Sequence, residues 1–306
     1  MERSPKNRRG KGKRGLATQI SAQAQVDPAL IESLPPDAPP HPRVHLHRHF
    51  HSGFLPTDRD VWVYVPRGYD EQPDRYYPVL YLQDGQNLFD PRTSFIPGRT
   101  WQVAETADAE IAAGTVEPLI IVGIANTGEH RLAEYTPTRD WKMGGGEADK
   151  YGKLLISDLL PFIASNYRVR HGLHHTGLGG SSLGGLVTLY LGLSYPEVFG
   201  RLAVMSPSVW WNHKSIIAWV NERAATLTHH ARMWLDVGDA EGRRTLADTD
   251  LLNRRLQARG WAPEQDLHYE RVPGGTHDEA AWAQRVGPML RFLFPAGKAE
   301  PADLLY

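Results

Sequence analysis

The chain has 306 residues, 41% of them hydrophobic and 23% charged, enough for one sizeable core. It has no cysteine, so disulfides and thiolate metal sites are excluded and nothing in it requires an oxidising compartment. The net charge of −1 hides an uneven spread: residues 1–14 hold seven Lys and Arg against Glu2, a charge of +6, and the rest of the chain carries −7.

Residues 1–42 show no apolar periodicity, being basic first and then proline-rich. They are expected to form a disordered extension. No aromatic residue is interleaved with its charges, which argues against nucleic acid as a partner. Residues 15–26 are too polar for the core of a signal peptide and no apolar run is long enough for a bilayer, so a cytoplasmic protein without a membrane partner is expected. The folded domain is expected over 43–296, with a short tail at 297–306.

Val44, Leu46 and Phe50 alternate with His45, His47, His49 and His51, which predicts a strand with one apolar face. No acid or cysteine in that strand completes a metal site from those histidines, so they are read as an exposed edge face. Residues 60–66 predict a second strand forming a hairpin with the first. Residues 78–83 and 118–125 are continuous apolar runs of the kind buried on both faces of a parallel sheet. A helix is predicted over 101–113 and a long amphipathic helix over 149–167. Further strands are predicted at 173–178, 202–205, 233–237 and 267–272. They alternate with helices at 183–193, 214–225, 246–259 and 279–294. This rhythm predicts an α/β fold with a mostly parallel central sheet, an N-terminal antiparallel hairpin and helices on both faces.

Gly180-Ser181-Ser182-Leu183-Gly184 carries the pattern G-x-S-x-G between a predicted strand and a predicted helix. That context predicts a nucleophile elbow with Ser182 at its tip. A serine needs a base, and His277 is placed for it, in a Gly-rich loop after the last strand. The third member should follow a strand between the two. Asp236, Asp239 and Glu241 all qualify; Glu241 lies in the loop proper and is preferred, with Asp239 as the alternative. An oxyanion hole requires two N–H donors. Leu183 follows the nucleophile and supplies one. Gln86, in the loop after the strand at 78–83, is the candidate for the other.

Several stretches together resemble one family of α/β-hydrolases. They are YLQDGQNLFD (81–90), EYTP (134–137), GGGEADKY (144–151), GGSSLGG (179–185), SPSVWW (206–211) and GGTHDEAAW (274–282). The family is the esterase family that includes esterase D, enterochelin-esterase-like enzymes, feruloyl esterases and the antigen 85 mycolyltransferases. The enterochelin-esterase-like branch is the nearest in pattern. The resemblance implies the α/β-hydrolase fold, with Ser182 as nucleophile, His277 as base, and Leu183 and Gln86 as oxyanion donors. It leaves the acid between Glu241, which fits the spacing after Gly238, and Asp239.

The expected activity is serine carboxylic-ester hydrolysis on a small-molecule ester, with no cofactor and no metal. Acyl transfer to an alcohol uses the same groups and stays open, as does a non-catalytic binding role on the same scaffold. The irregular stretch 126–151 follows a strand's carboxyl end and is expected to form part of the site's rim or a lid over it. Its Arg131, Glu134 and Tyr135 would contact the polar groups of a substrate or else staple the loop. Trp101, Trp210 and Trp211 would wall a pocket or else pack the core. Siderophore lactones, feruloyl esters, sugar acetates and thioesters all remain open as substrates.

Overall fold

The computed structural model describes residues 41–297. The basic, proline-rich extension and the C-terminal tail therefore lie almost wholly outside the described residues. The chain runs β1 (Val44–Phe50), β2 (Arg59–Tyr64), β3 (Val79–Gln83), α1 (Val103–Ala112) and β4 (Ile120–Ile124). It continues with α2 (Ala148–Lys153), α3 (Leu160–Asn166), β5 (Thr176–Ser181), α4 (Leu183–Ser194), β6 (Arg201–Met205) and α5 (Trp211–Arg223). It closes with β7 (Arg232–Gly238), α6 (Arg243–Ala258), β8 (Leu267–Val272) and α7 (Glu279–Leu293). The eight strands form one sheet in the order β1-β2-β4-β3-β5-β6-β7-β8. β1 pairs antiparallel with β2, and β2 with β4. From β4 to β8 every pairing is parallel.

This order sets the place of chemistry. β3 lies between β4 and β5, so the chain leaves it in one direction and returns on its other side. A ligand site in an open parallel sheet falls at such a reversal, beyond the carboxyl ends of the strands. β3 and β5 are hydrogen-bonded neighbours, with Leu82 opposite Gly179. The loops that follow them, at Asp84 and at Ser182, are thereby held side by side.

The two-sided burial of the central strands explains their composition. β3, β4 and β6 are buried at every position. α4 packs against β5 and β6 and is buried from Leu183 to Leu193, so it is apolar on all sides rather than along one stripe. Each fully buried leucine there contributes about 1.5–3 kcal/mol relative to exposure.

Four local expectations are corrected. The helix predicted over 149–167 is interrupted by a π-helical segment, Leu154–Leu159, with Pro161 at the start of α3. Proline has no N–H to donate, and the ladder widens by one residue just ahead of it. The strand predicted from residue 173 begins at Thr176, after a 3-10 turn at Leu173–His175. α5 carries left-handed backbone at Asn212, His213 and Lys214 near its start. On the edge strand β1, His45, His49 and His51 are exposed as expected, whereas His47 is half-buried with its Nε2 2.7 Å from the Tyr167 hydroxyl, which also lies 3.3 Å from His45 Nδ1, and the apolar face departs from expectation. Leu46, on the supposed apolar face, is exposed instead, and the register slips between His47 and Phe50 with His49 at φ 54°.

Among the described residues, no helix is long and apolar enough to cross a membrane, and no group of three or more His, Cys, Asp or Glu could hold a metal ion.

Candidate active site

β5 delivers the chain to Ser182 and α4 carries it away, with Ser182 at φ 58° and ψ −120°. Such backbone is strained for any residue with a side chain, and it persists only where the surroundings hold it. Three main-chain bonds do so: Ser182 N–H donates to Met205 O (3.1 Å), and Ser182 O accepts from Leu186 N (3.1 Å) and Ser208 N (2.9 Å). Gly180 permits the close approach beneath, since a Cβ there would lie 2.8 Å from Gln83 Cβ. The strain turns the hydroxyl outward from the end of the sheet.

His277 Nε2 lies 2.9 Å from Ser182 Oγ, and His277 Nδ1 lies 2.7 Å from Glu241 Oε2. Glu241 follows β7 and reaches back across the loop. Its other oxygen accepts from the Ser206 hydroxyl (2.5 Å) and Gly238 N–H (2.7 Å). Burial alone would push the Glu241 carboxyl up, but hydrogen bonds from His277, Ser206 and Gly238 override it and hold the carboxyl below its ordinary value. It is an anion facing the imidazole. Trp282 sets its ring edge-on to His277 at 5.0 Å between centroids.

The other two carboxylates have different partners. Asp239, the alternative acid, accepts from Gly274 N–H at 2.7 Å and ties the His277 loop to β7. Asp236 is fully buried beneath the site, where it accepts from Arg285 Nη1 (2.8 Å), Trp234 Nε1 (2.7 Å) and Ser206 N–H (3.1 Å).

On the other side of Ser182, Gln86 lies in a one-turn 3-10 helix, Gly85–Asn87, directly after β3. Gly85 is pressed against β4: a Cβ there would come within 2.5 Å of the Gly123 carbonyl carbon, so no other residue fits without moving the strand. Asp84, at φ 56°, opens this loop. It accepts from Arg131 Nε (2.7 Å), Arg131 Nη2 (2.8 Å) and Asn126 Nδ2 (2.7 Å), while its own N–H donates to the Tyr135 hydroxyl (3.3 Å). Asn87 Nδ2 donates to Glu279 Oε1 at 3.3 Å, which joins the loop to the segment carrying His277. Burial pushes the Glu279 carboxyl up.

Of the two readings left open for these residues, the contacts match the loop staple. Arg131 Nε and Nη2 and the Tyr135 hydroxyl engage Asp84 and so brace the loop of Gln86. Glu134 is buried in a bidentate ion pair with Arg59 (2.9 and 3.1 Å) and also accepts from Thr127. Trp101 is buried behind the site, 5.7 Å from Trp282 between ring centroids. Trp211 is buried too, and its Nε1 donates to Thr138 O at 2.9 Å. Residues 126–151 are accordingly a bolted wall rather than a free flap.

Other side chains at the site had no role assigned by the sequence. Ser208 Oγ is 3.3 Å from Ser182 Oγ. Ser206, at φ 41°, gathers Glu241, Asp236, Trp282 and Arg285 around itself. Arg285 had a faint signal: it stands three residues after Trp282, a cation among the mostly apolar residues that the helix buries beyond Glu279.

A mostly parallel eight-stranded sheet with a strained serine elbow between strand and helix defines the α/β-hydrolase class. Within that class, residues 52–293 match the family model described as "Putative esterase", and the chain belongs to that esterase family. It is 30% identical over 255 residues to the iron(III) salmochelin esterase of Escherichia coli O6:H1, covering 76% of this chain and 56% of the relative. It is 28% identical over 260 residues to the iron(III) enterobactin esterase of Dickeya dadantii, covering 81% of this chain and 54% of the relative. The chain thus spans about half the length of these two relatives, whereas it covers 93% of the Bacillus subtilis protein YbbA at 25% identity over 257 residues, 78% of this chain. Among solved structures, the BES protein of Bacillus cereus superposes with a TM-score of 0.68 at 22% identity, covering 83% of this chain and 95% of that one. The enterobactin esterase of Shigella flexneri in the presence of enterobactin superposes at 0.64 with 21% identity, covering 84% and 60%.

Proposed function

We propose that this chain hydrolyses carboxylic esters through an acyl-enzyme on Ser182. The observation that carries the reading is the unbroken contact chain from Ser182 Oγ to His277 Nε2 at 2.9 Å and from His277 Nδ1 to Glu241 Oε2 at 2.7 Å. Ser182 Oγ attacks the ester carbonyl as His277 Nε2 takes the hydroxyl proton. The carbonyl oxygen becomes an oxyanion facing the N–H groups of Leu183 and Gln86. The carbon–oxygen bond to the alcohol then breaks, and His277 returns the proton to the departing oxygen. A water molecule, deprotonated by His277, attacks the acyl carbon, and the acid leaves as Ser182 recovers its proton. Glu241 stays an anion throughout, fixing the imidazole tautomer and stabilising the imidazolium.

The rim suggests what kind of ester. Trp141, Met143 and Trp210 are 79%, 49% and 37% exposed, an unusual concentration of large apolar side chains at one place on the surface. With Lys142, His213 and Arg244 they line a groove of about 440 Å³. Trp210 lies two residues after Ser208, whose Oγ is 3.3 Å from Ser182 Oγ, so its Cα is within about 7 Å of the Ser208 Cα. Hydrogen bonds tie the groove's walls: Asn212 Nδ2 donates to Thr138 Oγ1 at 2.9 Å, and Asp140 and Gly144 exchange main-chain bonds of 2.7 and 2.9 Å. An ester carrying an aromatic or similarly bulky apolar arm fits it. Relatives named for salmochelin, enterobactin and feruloyl esters support that class.

A panel of purified esters tests the reading, with product analysis in the presence of added alcohols. Free carboxylic acid is expected as the product. Accumulation of the new ester instead of acid would move the activity to acyl transfer, and turnover of no ester in the panel would overturn the proposal. Trp210→Ala is expected to raise KM for a feruloyl-type ester about tenfold and leave kcat within about twofold, because it removes binding shared by ground and transition states. An unchanged KM would exclude the groove as the binding place of the arm.

A further inference from the structure

Beneath the contact chain lies a second layer of charge that the reaction scheme does not use. Arg285, on α7, is 2% exposed, and Asp236, on β7, is fully buried. The Arg285 guanidinium donates from Nη1 to Asp236 Oδ1 (2.8 Å) and to Ser206 Oγ (2.8 Å). Its Nη2 reaches Thr276 O (3.3 Å) and Glu241 Oε1 (3.5 Å). Thr276 is the residue before His277. One guanidinium therefore touches the loop of the base, the carboxylate that orients the base, and the serine hydroxyl that donates to that carboxylate.

As a stabilising device this arrangement is a poor choice. A buried ion pair pays heavily in lost hydration and is often no better than apolar residues of the same size. Arg285 Nε is also buried with no partner among the described residues, which adds the cost of an unmade hydrogen bond. An arginine fork does, however, hold several acceptors in one fixed plane. A fully desolvated cation and anion under the site also add a field that is little screened by solvent.

We propose that Arg285 and Asp236 are a positioning pair for the base: Arg285 holds Glu241 and the His277 loop in register, and Asp236 balances its charge so that the imidazole can still accept a proton. This deepens the hydrolase reading and rests on it. His277 is also faced by Glu279 from the start of α7, and Glu279 in turn by Asp278 and by Asp84, with its partner Arg131, from the loop after β3. All of these are unchanged in the variants below, so the contribution of the pair is separable.

The test is the pH dependence of kcat/KM, whose acidic limb reports protonation of the coupled His277–Glu241 pair. Asp236→Asn leaves the Arg285 cation unbalanced, which disfavours an imidazolium nearby. The limb is expected to move to lower pH by about half a unit or more. Arg285→Met removes the cation that favours ionised Asp236; burial already pushes that carboxyl up, so it is expected to take a proton, leaving the limb close to that of the unaltered protein with kcat lowered. The double variant Asp236→Asn/Arg285→Met removes both charges. Its limb is expected close to that of the unaltered protein, with kcat lowered because the fork no longer holds Thr276 and Ser206. If Arg285→Met alone does not fold, Asp236→Asn and the double variant still decide the matter. Shifts in the same direction, or loss of thermal stability with no shift of the limb in any folded variant, would overturn the proposal. Failure of the underlying reading looks different: the unaltered protein would then turn over no ester, or would keep its turnover after Ser182→Ala.

Discussion

Ser182→Ala is expected to lower kcat/KM by ~10⁴-fold or more toward any ester the protein hydrolyses, because the proposed acyl-enzyme cannot form without the Ser182 hydroxyl. Rate that remains would then come from substrate binding and the proposed N–H donors of Leu183 and Gln86. The fold should survive: α4 stays packed on β5 and β6, and the three main-chain bonds around residue 182 do not involve its side chain. The left-handed φ of 58° is strained for serine and alanine alike. An inactive variant with unchanged thermal unfolding is therefore the expected pair of results. Turnover within tenfold of the unaltered protein would mean that another group attacks the ester.

Glu241→Gln is the second large effect, a loss of ~10²–10⁴-fold in kcat. An amide keeps the size but presents either a neutral oxygen or an N–H to His277 Nδ1. The first weakens the hold on the imidazolium and the second imposes the wrong tautomer. Asp239→Asn should stay within about threefold, because Asp239 serves Gly274 N–H and does not reach His277. A reversed order of the two variants would return the acid to Asp239. The same carboxylate sets a pH dependence of stability. The carboxyl of Glu241 is held below its ordinary value in the folded chain, so its contribution is complete above the ordinary carboxylate range and is lost as pH falls through the lower, folded value. The difference in unfolding temperature between the unaltered protein and Glu241→Gln should accordingly shrink on acidification.

Much of this architecture is legible from residue order. The apolar runs around Val79–Gln83 and Ile120–Ile124 announce strands buried on both faces, and the glycines on either side of Ser182 announce a turn that only small neighbours allow. Local pattern is sufficient there because one face or one backbone angle decides the outcome. It fails where the deciding partner is far along the chain. Arg131, Glu134 and Tyr135 have the polarity of substrate contacts, but nothing local shows that Asp84 and Arg59 have claimed them. Trp101, Trp210 and Trp211 look alike as letters, and only tertiary packing separates the exposed Trp210 from the two buried rings. Likewise the pairing of Arg285 with Asp236, 49 residues apart, leaves no periodic trace. Pro161 hinted at the widened turn ahead of it, but a proline alone does not decide the matter, since α7 carries Pro288 in its interior without a break.

The most direct test is to quench the reaction early with a slowly deacylating ester and locate the acyl group by peptide mass spectrometry. Attachment to Ser182, in amounts that rise and fall with turnover, is the predicted result. Steady hydrolysis with no acyl group on Ser182, or with the group on Ser181, Ser206 or Ser208 instead, would contradict it.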